Sequence, residues 1–105
     1  MSQYENIGIA YFTNPALQNE PFGKEVEGIM ISVGKQIPVR KIDTYKEVSM
    51  VEEMKPQNLP SLVFTDHSGT ERHIYIEGEG LRGITVEKVM DQVAAIDRYN
   101  KGEKV

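Results

Sequence analysis

A chain of 105 residues with no cysteine is the size of one domain, and it lacks disulfides, thiolate metal sites and thiol nucleophiles together. Its formal charge of −4 gives no basic face for phosphates, and 39% hydrophobic with 27% charged content is ordinary for a globular domain. No apolar run nears the roughly 20 residues that span a bilayer, and Met1-Ser2-Gln3-Tyr4-Glu5-Asn6 has neither part of a secretion signal, so a cytoplasmic location without membrane or nucleic acid partners is expected.

Ile7 to Phe12 is apolar on both faces, as a central buried strand would be. It runs into Thr13-Asn14-Pro15-Ala16, where Thr13 or Asn14 can cap a helix and Pro15 suits its first turn. Phe22, Val26, Ile29, Met30 and Val33 then recur at helical spacing. Pro21 either kinks a helix begun near Pro15 or starts a helix of its own. Gly34 is its stop.

Ile37 to Ile42 reads as a second strand, with Pro38 favouring an edge position. Thr44 and Glu47 have capping-box spacing ahead of a short helix through Met54, with Val48, Val51 and Met54 inward and Pro56 ending it. Asn58-Leu59-Pro60 then leads into a third strand from Ser61 to Thr65. The residue before a proline is pushed to extended backbone, and proline, which cannot donate to a ladder, fits a strand's first position. Asp66 to Gly69 is a turn by composition, and Thr70 to Glu77 return as a fourth strand. Gly78, Gly80 and Gly83 mark a mobile loop, and Thr85 caps a last helix bearing Val86, Val89, Met90, Val93 and Ile96.

The chemistry-bearing residues are few. Two histidines, His67 and His73, span a turn with no converging carboxylates, so no metal site is expected. The stretch Gly78 to Gly83 has the glycine density of a phosphate loop but neither its Lys-Ser/Thr nor the dinucleotide spacing, and it serves better as φ > 0 turns. Tyr11 and Tyr75 read as sheet residues with the hydroxyl at an edge, and Glu47, Glu52 and Glu53 as a solvated helix face.

The order β-α-β-α-β-β-α implies an α/β domain with a four-stranded mixed sheet and helices on both faces. In that order, in Leu59-Pro60 ahead of an apolar strand, and in Phe12-Thr13-Asn14-Pro15-Ala16 followed by Pro21, the chain resembles the thioredoxin superfamily over nearly its whole length. In that register Thr13 and Ala16 stand where the family has its two cysteines and Pro15 matches the proline between them. A second register sets Asn14-Pro15-Ala16-Leu17 against a glutaredoxin-type Cys-Pro-x-Cys; only the first also places Pro21.

The resemblance implies one thioredoxin-like domain over residues 1–105, with a core of about 6–100 and a polar tail at 101–105. It implies a cis Leu59–Pro60 bond whose flanking backbone pairs with an extended partner chain. The expected protein is a redox-inactive binding or adaptor domain, monomer or homodimer, that docks a protein or peptide segment. Its candidate site comprises Phe12, Thr13, Asn14, Pro15, Ala16, Leu59, Pro60, Gly80 and Arg82, with no catalytic residue, metal or cofactor. The two alternatives are a glutathione- or thiol-binding enzyme that uses Thr13 or Tyr11, and a structural subunit of an oligomer.

Overall fold

A computed structural model describes residues 7–66 and 72–100. The elements run β1 (Ile7–Thr13), α1 (Pro15–Gln18), α2 (Pro21–Val33), β2 (Val39–Asp43), α3 (Val48–Met54), β3 (Ser61–Asp66), β4 (Arg72–Glu77), a 3-10 turn (Gly78–Leu81) and α4 (Val86–Asn100). The sheet order is β2-β1-β3-β4, with β1–β2 parallel and the other two pairs antiparallel. β1 therefore has strand neighbours on both sides, which is why its sequence is apolar on both faces. Among the described residues no helix is long and apolar enough to cross a membrane.

Side-chain alternation along the strands divides the core in two. Ile7, Ile9 and Tyr11 of β1 and Leu62 and Phe64 of β3 pack with Val26, Met30 and Val33 of α2 and Val89, Val93 and Ile96 of α4. On the other face Ala10, Phe12, Ile42 and Val63 form a smaller cluster, closed by Met50, Val51 and Met54 of α3 and by Leu59. Helices thus cover both faces of the sheet.

Several local expectations are corrected. Both prolines start helices: Pro15 begins α1, the chain breaks at Asn19–Glu20, and Pro21 begins α2. Gly23 makes the sharp junction possible, because a Cβ built on it would lie 1.8 Å from the Leu17 carbonyl oxygen. β2 starts at Val39, two residues later than expected; Ile37 is buried ahead of it and the Pro38 carbonyl accepts the Ile9 N–H at 3.0 Å. The capping box does not form. Asp43 instead accepts the Tyr45 N–H at 2.8 Å, and α3 opens at Val48 without a side-chain cap. That phase turns Val48 outward, 54% exposed, and brings Met50 inward in its place.

β4 opens at Arg72, so the start expected at Thr70 and the turn with His67 lie outside the described residues. The loop expected to be mobile contains the 3-10 turn; Gly78 (φ 52°) and Gly83 (φ 73°) take positive φ there, and Gly80 does not. Thr85 caps α4 as its sequence indicates, its hydroxyl accepting the Lys88 N–H at 3.1 Å.

Candidate functional site

Two segments meet where β1 ends and β3 begins. Their antiparallel ladder runs from Ile7–Asp66 to Phe12–Ser61. Carried one and two residues further, the same register sets Thr13 against Pro60 and Asn14 against Leu59. The Leu59–Pro60 peptide bond is cis. The end of β1, which leads into Asn14-Pro15-Ala16, and the start of β3, which follows Leu59-Pro60, therefore lie at the same end of the sheet.

On the β1 side the cap is Asn14, not Thr13. Asn14 has extended backbone, and its Oδ1 accepts the Leu17 N–H at 2.9 Å, which satisfies one of the free donors of the first helical turn. Thr13 is still part of the strand and 1% exposed, with its carbonyl accepting the Thr44 N–H at 2.9 Å. Strand parity puts it on the same face as Tyr11. Its hydroxyl eases the Tyr11 phenol downward in pKa but falls outside hydrogen-bond geometry, so Oγ1 is buried without a partner among the described residues. Phe12 is wholly buried on the opposite face. Of the expected β1 surface, Pro15 and Ala16 are exposed, while Asn14 is 8% exposed.

Opposite, the loop before β3 is held by a residue that the sequence did not single out. Oε2 of Glu77, the last residue of β4, accepts the N–H of Gln57 at 2.5 Å and of Asn58 at 3.2 Å, and the Ser61 hydroxyl at 3.3 Å. The Gly78 N–H donates to the Pro60 carbonyl at 2.9 Å. Gly78 sits close against this loop: a Cβ there would lie 3.0 Å from the Asn58 Cβ, and its φ is positive. Pro60 is buried, and the Leu59 side chain is half-buried in the smaller core cluster. Among the described residues no backbone group pairs with the N–H or C=O of Leu59.

Beneath α1 and α2 lies a polar cluster. The Tyr11 hydroxyl donates to Glu27 Oε1 at 3.0 Å and Lys41 Nζ donates to Glu27 Oε2 at 2.8 Å. Burial is the main cause that pushes the Tyr11 phenol up to about 12, with the Glu27 charge adding to it. Burial also pushes the Glu27 carboxyl up, but the hydrogen bonds and charge of Lys41 and Tyr11, with help from Gln18, outweigh it, and the net shift is downward. Tyr11 is 1% exposed, like Thr13, so neither hydroxyl is presented to a thiol in solution.

Arg82 is also engaged. It pairs with Glu79, which raises its pKa, and its guanidinium lies 4.6 Å from the centre of the Phe22 ring. It thus ties the 3-10 turn to the start of α2, with Gly80 exposed between. Tyr75 donates to the Met54 carbonyl at 2.6 Å, so its hydroxyl fastens the end of α3 rather than standing idle at an edge. Period-2 alternation along β4 could have placed Tyr75 and Glu77 together on the α3 face. No comparable signal joins Tyr11, Glu27 and Lys41, which come from three elements.

No protein-family model matches the chain, and no curated protein matches it. Solved structures do. A mutant thioredoxin from Halobacterium salinarum is similar with a TM-score of 0.67 at 15% identity, covering 87% of this chain and 74% of its own. A thioredoxin from Trichomonas vaginalis gives 0.65 at 13% identity over 90% and 82% of the two chains. The germline-specific thioredoxin Deadhead of Drosophila melanogaster gives 0.63 at 20% identity over 87% and 81%. At such identities the likeness is one of fold. The chain has a thioredoxin fold, with no cysteine anywhere in it.

Proposed function

We propose that this chain is a redox-inactive binding domain that docks an extended protein segment beside Leu59, with Pro15 and Ala16 forming the neighbouring surface. Thiol–disulfide exchange begins with a thiolate, and the chain has no cysteine to supply one. The observation that carries the reading is a local imbalance in hydrogen bonding. In the 57–60 segment the Gln57 and Asn58 N–H groups donate to the Glu77 carboxylate and the Pro60 carbonyl accepts the Gly78 N–H, whereas the Leu59 backbone has no partner among the described residues. An extended chain alongside would supply both missing bonds, as in strand addition to a sheet edge, where main-chain bonds give affinity and nearby pockets give selectivity.

Selection from a random peptide display library, followed by titration of an enriched peptide, tests the reading. Ala16 is exposed, so Ala16→Arg crowds the surface without disturbing the core. The wild type should bind the peptide with its largest amide shifts at Leu59 and Gly78, and Ala16→Arg should weaken binding. Equal affinity of both proteins would overturn the proposed site.

A further inference from the structure

We infer that Glu77 is the positioning residue of this docking segment: it acts through the backbone of Gln57 and Asn58 to hold Leu59 ready for an incoming chain. The inference rests on the docking reading above and adds a specific residue to it. Glu77 stands at the end of β4, a regular strand paired with β3 at Ser61. A single oxygen of its carboxylate gathers Gln57 N–H, Asn58 N–H and Ser61 Oγ, two donors from before Leu59 and one from after it. The next residue, Gly78, takes the Pro60 carbonyl. Leu59 is thereby bracketed on both sides by groups anchored to β4 and its following turn, while its own N–H and C=O stay out of the arrangement.

The chemistry of this bracket is suited to preorganisation. Hydrogen bonds to an ionised acceptor are stronger than neutral ones. A loop fixed before binding loses less conformational entropy on docking, and the saving appears as affinity. The regular core does not need Glu77 in the same way, because the apolar clusters on either face of the sheet do not include it. Removing the carboxylate should release the 57–59 backbone and leave the sheet intact.

The test uses the full chain, the peptide enriched on the wild type, and Glu77→Ala, Glu77→Gln and the control Glu53→Ala on the exposed face of α3. Three readouts are taken: melting temperature, hydrogen exchange at the Gln57 and Asn58 amides of the free protein, and peptide affinity. Glu77→Ala should keep a cooperative melt, lose protection at both amides and bind about tenfold more weakly. Glu77→Gln keeps an acceptor oxygen and should recover part of both losses, and Glu53→Ala should match the wild type. If Glu77→Ala does not fold, the exchange and affinity of Glu77→Gln decide, with wild-type values in both overturning the inference. Unchanged exchange, or lost exchange with unchanged affinity, overturns it while docking at Leu59 stands. A wild type that enriches no peptide overturns both.

Discussion

Two glutamates do opposite work in this fold. Glu27, on α2, receives side-chain donors, the Tyr11 hydroxyl from β1 and the Lys41 ammonium from β2, and so fastens three regular elements together. Glu77, at the end of β4, receives mainly backbone donors from an irregular loop. The first lies over the larger core and supports what helices and strands have already built. The second orders a segment that secondary structure leaves unpaired. The contrast teaches that one carboxylate chemistry joins regular elements in one place and orders an irregular loop in another. Substitutions should separate these two uses.

The largest effect should come from the frame that holds Glu27. Gly23→Ala drives a methyl group against the Leu17 carbonyl where α1 meets α2, and it should cost about 3 kcal/mol or more by urea denaturation. Glu27→Ala leaves a buried phenol donor without its acceptor, and a loss of about 2 kcal/mol is expected by the same measurement.

The pH dependence sharpens the same side of the comparison. The folded-state pKa of Tyr11 is raised to about 12 from an ordinary 10.0, so the folded chain keeps a proton that the unfolded chain releases. That contribution is complete below pH 10 and is lost as pH rises towards 12. Denaturation midpoints should fall over this window in the wild type, and the fall should be shallower in Tyr11→Phe. Glu27 runs the other way, because its folded pKa lies below 4.5. Its contribution is present above pH 4.5 and lost as acid takes the pH down through the folded value; Glu27→Gln should lack that part of the acid limb.

On the Glu77 side, Leu59→Ala opens half-buried apolar volume in the smaller cluster, and about 1.5 kcal/mol is expected, below the range for a fully buried leucine. The smallest effect belongs to Val48→Ser, within about 0.5 kcal/mol, because this side chain faces out. Met50→Ser, one turn-phase away and packed inward, should cost clearly more. The reverse order, with Val48→Ser the costlier, would mean that α3 sits in the phase its sequence first indicates.

How much of this was legible depended on range. The apolar run of β1, the stripe of α2 and the Thr85 cap of α4 are local signals, and each produced the element that its spacing indicates. The capping box at Thr44 was a local signal that lost to a stronger one, the Asp43 side chain bonding two residues ahead. With that turn in place α3 begins in a different phase, which is why Val48 and Met50 exchange roles. Of the two caps the sequence offers, Asn14 takes the role because β1 runs one residue further than Phe12 and buries Thr13. Glu77 and Glu27 were not legible as a pair of anchors, since their partners lie 14 to 20 residues away and meet them only through the sheet. The Leu17–Gly23 contact was hidden for a similar reason: it depends on the angle between two helices.

The most direct measurement removes the Leu59 N–H alone. Incorporation of the α-hydroxy analogue of leucine at position 59 replaces one amide by an ester, keeping the side chain in the smaller cluster. The melting temperature should stay close to that of the wild type, because no group in the fold accepts that N–H among the described residues. Affinity for the selected peptide should fall about tenfold, the scale of one main-chain bond lost with its partner left unpaired. Wild-type affinity in the ester protein would contradict docking through the Leu59 backbone.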